Sequence, residues 1–217
     1  MDKSEIVSIC HRVYEKGFVA ATDGNISAVN DRGTIYITRS AVCKGEVEEK
    51  DILEIDFEGK LISGTGKVTT ENKLHLFVYA NRKEVKAVVH CHPVYTSAFA
   101  VAGKPIDHYI LPEVILSLGK ISLCEYGSPG IDELPLSIKP FVGESNAFIL
   151  KNHGALTIGE SLKQAYYRME KLEHTAKIQL MALSLGGAQK IPEDEIQKLI
   201  SYAKEVYGID INKNIFK

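Results

Sequence analysis

Pairs of short apolar segments separated by tight turns constrain the fold of this chain more than any other feature. Residues 26–29 and 34–38 flank the turn NDRG, and residues 52–63 alternate apolar and polar side chains around a glycine turn. Residues 147–152 and 155–159 also flank a glycine turn. Strands joined by a short turn pair antiparallel, whereas a parallel pair needs a long crossover. The sequence therefore predicts a largely antiparallel sheet rather than a regular doubly wound parallel one.

Helical periodicity is the second organising feature. In residues 161–185 the apolar side chains recur along one stripe, and Gly186-Gly187 follows as a stop signal. Similar patterns predict other helices at residues 3–16, 69–82, 95–103, 131–142 and 192–208, and strands at residues 86–90 and 120–126. Since no repeat or low-complexity linker divides the 217 residues, we expect one α/β domain over residues 1–217, with helices covering the sheet.

Composition and charge exclude several classes of function. The formal net charge is −2 and the basic residues are scattered, which predicts no nucleic-acid partner and no membrane-binding face. No segment resembles a signal peptide or a membrane-spanning helix. The cysteines are far apart, which argues against a disulfide framework or a four-cysteine zinc site: Cys10, Cys43, Cys91 and Cys124. We therefore expect a soluble cytoplasmic protein.

A histidine pair ends one of the predicted buried strands. His90 and His92 stand in VVHCHP, and residues two apart on a strand point to the same face, so both rings can aim at one point while Cys91 faces away. Zinc binds imidazole nitrogens and usually takes three or four protein ligands. The alternative is a pair of inert polar side chains that are hydrogen-bonded at a strand end.

Candidate partners for the pair lie in distant segments. His153, in LKNHGAL, follows a strand at a glycine turn and can face a cleft, although an ordinary turn histidine is the alternative. Glu71 begins a predicted helix, where the helix dipole favours a carboxylate even without a metal. His75 can share the face of Glu71, or it can be a core or surface residue. The other histidines have no metal-like neighbours in the sequence: His11, His108 and His174.

Polar turns at residues 22–27, 38–41 and 68–71 offer hydroxyls, an amide and backbone N–H groups. Thr69 and Thr70 also open a predicted helix, and a helix N-terminus is a ready anion site. Capping and turn chemistry is the alternative explanation for each turn taken alone.

Taken together, six ordered segments resemble the class II, zinc-dependent aldolase family of the L-fuculose-1-phosphate aldolase type. The segments are DGNIS (23–27), ITRSA (37–41), TTE (69–71), VVHCHP (88–93), HYILPE (108–113) and LKNHGALTIG (150–159). They occur in the family's order and at nearly its spacing, over about residues 5–185. The resemblance implies a three-layer α/β/α sandwich with a mainly antiparallel central sheet, and a homotetramer with active sites at the subunit interfaces.

The resemblance also implies a site. One zinc ion per subunit would be held by His90, His92 and His153, with Glu71 as the fourth ligand at rest. Tyr109 would stand at the aldehyde side. The substrate phosphate would be held by side chains and backbone groups of Asn25, Ser40, Thr69 and Thr70, with Gly24 and Ala41 nearby.

The implied reaction is reversible cleavage of a ketose 1-phosphate, such as L-fuculose 1-phosphate, to dihydroxyacetone phosphate and a small aldehyde. Zinc would stabilise the enediolate, and Glu71 would move the proton. Ser40-Ala41 and Thr69-Thr70 replace the family's usual Thr-Gly and Ser-Ser, so the hydroxyls are kept. Ala41 adopts a positive φ less readily than glycine, which puts the backbone contact there in question.

Three alternatives remain beside the aldolase. A sugar-phosphate 4-epimerase of the same superfamily would carry Asp in place of Glu71. A methylthioribulose-1-phosphate dehydratase-like enzyme uses a Glu near the position of Glu113, which is otherwise a structural residue at a helix start. The third is a non-catalytic zinc-binding structural module. Tyr202 and Tyr207 lie near the end of the chain and match no family segment, so neither is assigned a role.

Overall fold

The elements of the fold are taken from a computed structural model that describes residues 1–107 and 109–207, with only the backbone at Tyr207. The predictions that concern His108 and residue 208 therefore lie outside the described residues. The helices are α1 (Lys3–Glu15), α2 (Asn72–Asn81), α3 (Val94–Ala102), α4 (Pro112–Ser117), α5 (Glu133–Ile138), α6 (Leu162–Ser184) and α7 (Glu193–Tyr207). The strands are β1 (Asn25–Val29), β2 (Ile35–Thr38), β3 (Ile52–Ile55), β4 (Leu61–Ser63), β5 (Ala87–Cys91), β6 (Lys120–Cys124), β7 (Ser145–Leu150) and β8 (Gly154–Gly159).

Within the described residues the strands form one sheet in the order β4-β3-β2-β1-β5-β8-β7-β6. Every neighbouring pair is antiparallel except β6–β7. The predicted hairpins are confirmed as β1–β2, β3–β4 and β7–β8. The parallel pair β6–β7 is joined by the segment that contains α5, as a parallel connection requires.

Helices cover both faces of the sheet and complete a three-layer α/β/α sandwich. On one face Ile6 of α1, Phe99 of α3 and Tyr166 of α6 pack in a single buried cluster with side chains of the strands. On the other face Leu74 of α2 and Leu134 of α5 do the same. The sandwich predicted from the resemblance is therefore confirmed. Among the described helices, none is long and apolar enough to span a bilayer.

The start of α2 differs from the prediction of a helix from residue 69. Asn72 is its first residue, and Glu71 is its N-cap. The turn before it is closed by two bonds to Thr69, whose Oγ1 accepts from the Glu71 amide at 3.3 Å and whose carbonyl accepts from the Asn72 amide at 3.1 Å. Because these residues form the turn, the Glu71 side chain projects from the helix end.

Two short helices explain the other differences. The predicted helix 131–142 is only Glu133–Ile138, because the proline at residue 140 has no backbone N–H to donate to the preceding turn. The sequence indicated a helix start near Glu113 but predicted no bounds for α4, since six residues beginning at Pro112 show too little of a helical period. It packs against α7 through Ile115, Ile196 and Ile200. Other boundaries within the described chain agree with the predictions to two residues.

Candidate active site

The order of the central strands brings the distant histidines together. His90 is the next-to-last residue of β5 and lies opposite Asn25 of β1 and Leu156 of β8. His153 lies in the turn that joins β7 to β8, so the pairing of β8 with β5 places it beside the end of β5. The closeness of this turn requires glycine at residue 154. A Cβ there would lie 2.5 Å from Cδ2 of His92 and 2.6 Å from the carbonyl oxygen of residue 91.

The three imidazoles form one compact group. The ring centroids of His90, His92 and His153 lie 4.8–5.0 Å apart, and one ligand atom from each lies within 4.8 Å of the others. The Nε2 atoms of His90 and His92 are 3.1 Å apart. Two ligands at 2.0–2.1 Å from a tetrahedral zinc lie about 3.3 Å apart, so this spacing fits a metal centre. The group predicted as metal ligands is thus assembled and can hold a metal.

Hydrogen bonding and burial prepare His90 for this role. Its Nδ1 donates to the carbonyl of Ala155 at 2.9 Å, which leaves the Nε2 lone pair facing the other rings. Burial lowers the pKa of His90 to about 3. Burial also lowers the pKa of His92, whose Nδ1 lies 3.5 Å from Oδ2 of Asp23. Both rings are therefore neutral near pH 7, and the neutral imidazole is the form that binds metals.

The carboxylate of Glu71 closes the group on its fourth side. Its Oε1 lies 3.2 Å from Nε2 of His153, and its Oε2 lies 3.5 Å from Nε2 of His90. Asn25 Nδ2 donates to the same Oε2 at 2.6 Å. Burial opposes ionisation, but the neighbouring imidazoles and the Asn25 amide outweigh it and hold the pKa of Glu71 well below its ordinary value. Glu71 is thus an ionised side chain suited to bind a cation.

A polar cavity of about 310 Å³ opens beside these side chains. It is lined by the start of β1 and the loop before it, by the loops after β2 and before α2, by the residue after β5 and by the turn between β7 and β8. The lining residues are Thr22, Asp23, Gly24, Asn25, Arg39, Ser40, Ala41, Thr69, Thr70, Glu71, His92 and His153. Every residue predicted to hold the phosphate lies in this lining. The segments are far apart in sequence, so their meeting favours a single anion site over separate turn chemistry.

Sequence reasoning assigned no role to two charged residues of the cavity, Asp23 and Arg39. Arg39 precedes Ser40 and lines the cavity with it, while its Nε donates to Oδ1 of the buried Asp51 at 2.6 Å. This ion pair fixes the guanidinium at the cavity wall, where its charge favours a bound anion. Arg39 stands in the segment TRSA, beside the predicted phosphate ligand Ser40. An arginine at a strand end is common on protein surfaces, so its residue type alone did not indicate a role.

Ala41 takes the backbone conformation that its residue type disfavours. Its φ is 56°, in the left-handed region. An L-residue there is strained by roughly 1–2 kcal/mol relative to the right-handed conformation. The polar turn after β2 is therefore held by its surroundings rather than by its own preference.

We expect Ala41→Gly to stabilise the protein, because glycine adopts this φ without strain. The free energy of unfolding should rise by about 1 kcal/mol, once the extra entropy of glycine in the unfolded chain is subtracted. This corresponds to a rise of about 2–4 °C in Tm, which calorimetry measures. Ala80→Gly is the control, since Ala80 is exposed within α2 and the same change there lowers Tm. A lower Tm for Ala41→Gly would show that the backbone of Ala41 is not strained.

Tyr109 lies outside the cavity lining. It packs against the buried cluster of Ile115, Ile196 and Ile200 between α4 and α7, and the ammonium of Lys190 lies 5.5 Å from the centre of its ring. Glu113 is exposed in the first turn of α4, and Tyr202 is 52% exposed on α7. Neither of these two residues lines the cavity.

The remaining described histidines are not part of the metal group. His11 Nε2 lies 2.9 Å from the carbonyl of Val47, and His174 is exposed on α6. His75 is buried beneath Asn25, with its Nε2 2.6 Å from Oδ1 of that residue. His75 is therefore a core histidine that contacts the site through a neighbour.

Burial of His75 makes the stability of the fold sensitive to acid. Burial lowers the pKa of His75 from 6.5 to about 4. His75 binds a proton more tightly in the unfolded chain than in the folded one. The neutral, buried ring therefore contributes its full share to the free energy of unfolding above pH 6.5, and this share is lost as the pH falls toward 4. Urea denaturation at pH 7.5, 5.5 and 4.5 should show a loss of about 2.5 kcal/mol from this group across the series. His75→Gln should show a shallower decline; an equal decline would contradict the assignment.

Comparison with known proteins agrees with this geometry. The family model for the Class II Aldolase and Adducin N-terminal domain matches residues 4–180. The chain is 37% identical over 184 residues to a Methanococcus vannielii protein named L-fuculose phosphate aldolase, covering 85% of this chain and 98% of that protein. It is 32% identical over 205 residues to a Pectobacterium atrosepticum 3-oxo-tetronate 4-phosphate decarboxylase, covering 91% of each.

A solved structure leads to the same family. An L-fuculose 1-phosphate aldolase superposes with a TM-score of 0.84 at 26% identity, covering 93% of this chain and 95% of that one. The names of the relatives describe enzymes that break carbon–carbon bonds, so the chain is a lyase rather than a non-catalytic module. With its histidine group, the polar cavity beside it and the match over residues 4–180, the chain belongs to the class II aldolase and adducin N-terminal domain family.

Proposed function

We propose that this protein is a zinc-dependent aldolase that reversibly cleaves a ketose 1-phosphate to dihydroxyacetone phosphate and a small aldehyde. The observation that carries the proposal is the place of Glu71. Its carboxylate contacts His90 and His153 on one side and lines the anion cavity on the other. A proton-transfer group is thereby set between the metal ligands and the site for a phosphate.

The cavity supplies the groups that a phosphate needs. Ser40, Thr69 and Thr70 offer hydroxyl and backbone donors, and the guanidinium of Arg39 adds positive charge. Anchoring the unreactive phosphate end fixes the reacting carbon beside Glu71, so binding energy is used for orientation. L-Fuculose 1-phosphate is the named substrate type because relatives at up to 37% identity carry that name.

One zinc ion per subunit would be held by His90, His92, His153 and, at rest, Glu71. When bound, the metal supplies a Lewis acid that stabilises negative charge on the oxygens of an enediolate. The neutral imidazoles leave the positive charge of the metal intact.

Glu71 carries the proton. In the direction of synthesis its carboxylate takes a proton from the carbon beside the carbonyl of dihydroxyacetone phosphate. The electron pair left on that carbon forms the new bond to the aldehyde carbon, and the aldehyde oxygen gains a proton. Cleavage is the reverse, with the protonated Glu71 returning its proton to carbon.

Tyr109 is assigned to protonation of the aldehyde oxygen, in a neighbouring subunit's site. Its place beside α7, away from the cavity of its own subunit, supports such an arrangement. The proposal accordingly includes a homotetramer with active sites at its interfaces. It also includes a cytoplasmic location, which the four free cysteines favour.

A decarboxylase is the second candidate, because a relative with that name aligns with 91% of the chain. Loss of CO2 from a 3-oxo-tetronate 4-phosphate leaves the same electron pair beside the same ketone. Glu71 would then protonate the enediolate of dihydroxyacetone phosphate in both reactions. The two functions differ only in the group that leaves.

A substrate panel tests the proposal. Zinc-loaded protein is incubated with ketose 1-phosphates and with 3-oxo-tetronate 4-phosphate, with and without a chelator, while dihydroxyacetone phosphate, aldehyde and CO2 are measured. We expect dihydroxyacetone phosphate and an equal amount of aldehyde, lost with the chelator and restored by zinc. Dihydroxyacetone phosphate accompanied only by CO2 favours the decarboxylase. An epimerised or dehydrated sugar without dihydroxyacetone phosphate favours the epimerase or dehydratase.

A further inference from the structure

A buried row of hydrogen bonds runs from the core to the cavity. The hydroxyl of Tyr79 lies 2.7 Å from Oγ of Ser27, and that Oγ lies 2.6 Å from Nδ1 of His75. His75 Nε2 lies 2.6 Å from Oδ1 of Asn25, and Asn25 Nδ2 donates to Glu71 at 2.6 Å. Tyr79, Ser27 and His75 are each no more than 2% exposed. The row therefore links the helix α2 and the strand β1 to the one amide that lines the cavity.

The donor and acceptor of every hydrogen bond in this row follow from the Glu71 carboxylate at its end. A carboxylate only accepts, so Asn25 must turn its NH2 toward Glu71 and its carbonyl toward His75. That carbonyl accepts from His75, which fixes the proton of the ring on Nε2 and leaves Nδ1 as an acceptor. Nδ1 then accepts from the hydroxyl of Ser27, whose oxygen accepts from Tyr79. One neutral tautomer of His75 satisfies the whole row.

The tautomer decides what Asn25 presents to the cavity. If the amide were flipped, its carbonyl would face the Glu71 carboxylate, and its NH2 would face a ring N–H. The cavity would then offer an acceptor where an anion needs a donor. Because both Glu71 and a substrate phosphate are anions, the NH2 of Asn25 is the useful group on this wall.

We propose that His75 is a positioning residue that locks the Asn25 amide with its NH2 toward the anion cavity. The part of this inference that concerns phosphate rests on the proposed function. His75 touches neither the metal group nor the cavity, and it acts only through Asn25. Ser27 and Tyr79 in turn hold the ring in its tautomer.

Two substitutions of His75 distinguish a role in orienting the Asn25 amide from a role in packing the core. His75→Leu fills the space but cannot donate to Asn25, whereas the amide of His75→Gln can. Inorganic phosphate, titrated into the metal-free proteins and followed by NMR, is the probe. We expect the dissociation constant to rise at least about tenfold in the leucine variant and to stay within about threefold in the glutamine variant. Equal affinities in the two variants would overturn the inference.

The ring nitrogens give a second test that does not need the leucine variant to fold. In the wild-type protein 15N chemical shifts should show His75 protonated on Nε2 and not on Nδ1. Ser27→Ala removes the donor to Nδ1, so the other tautomer should become populated and phosphate binding should weaken. An Nδ1–H ring in the wild type, or no change in Ser27→Ala, would overturn the inference.

These outcomes are distinct from those of the substrate panel. A protein that cleaves no phosphorylated sugar but shows the expected tautomer and phosphate contrast loses the proposed function and keeps the role of His75. An active aldolase in which the leucine and glutamine variants bind phosphate equally keeps its function and loses this inference.

Discussion

Replacing Glu71 with glutamine is expected to lower kcat by about a thousandfold while zinc stays bound. Glutamine keeps the length of the side chain and can still accept the hydrogen bond from Asn25 Nδ2. It cannot take a proton from carbon, and general acid–base catalysis contributes typically 10²–10⁴-fold. His90, His92 and His153 remain as three neutral ligands, which is the usual number in a catalytic zinc site. Turnover and zinc content of the same preparation are the measurements.

Glu113→Gln is the matched control for this prediction. Glu113 is exposed in the first turn of α4 and does not line the cavity of its own subunit. We expect turnover within about twofold of the wild type. If Glu113→Gln were inactive and Glu71→Gln active, the acid–base role would move to Glu113, as a dehydratase-like reaction would require.

The sheet and its hairpins could be predicted because their signals are local. Alternating strands around a glycine turn fix antiparallel pairing within a dozen residues, as in residues 52–63. Helix α4 carries no such signal, since its six residues depend on packing against α7. Propensity also extended α2 back to residue 69, where hydrogen bonds to Thr69 instead form a turn.

Site residues were predictable where residue type carries chemistry. His90 lies in β5 and His92 directly follows its last residue, so their convergence follows from the period of two while the chain stays extended past the strand. The approach of His153 depends on β8 pairing with β5, which is a fact of topology and not of spacing. Arg39 and His75 were not recognised because their roles arise from neighbours brought by folding: Asp51 for the first and Asn25 for the second. Such residues become visible only when the contacts are known.

Replacing His92 with alanine should remove the metal. In a typical metal site, mutating a residue that only hydrogen-bonds to a ligand lowers the metal affinity 10–100-fold. Removing a ligand itself should therefore lower the zinc affinity by more than about a hundredfold. Alanine leaves two imidazoles and the Glu71 carboxylate, and only the two imidazoles remain when Glu71 leaves the metal to take a proton, which is fewer than the three protein ligands of a catalytic zinc site. Zinc per subunit should fall to about one tenth after dialysis, and turnover should fall by at least about a thousandfold.

Two comparisons make the result specific to this group. His174→Ala removes an exposed histidine on α6, so it should keep zinc and turnover. The Glu71→Gln protein should keep zinc but lack turnover, so the variants separate metal binding from proton transfer. Because His92 is partly exposed at the edge of the group, the alanine variant should also keep its fold, which circular dichroism checks. A folded His92→Ala protein with full zinc would show that the three histidines do not form the metal site.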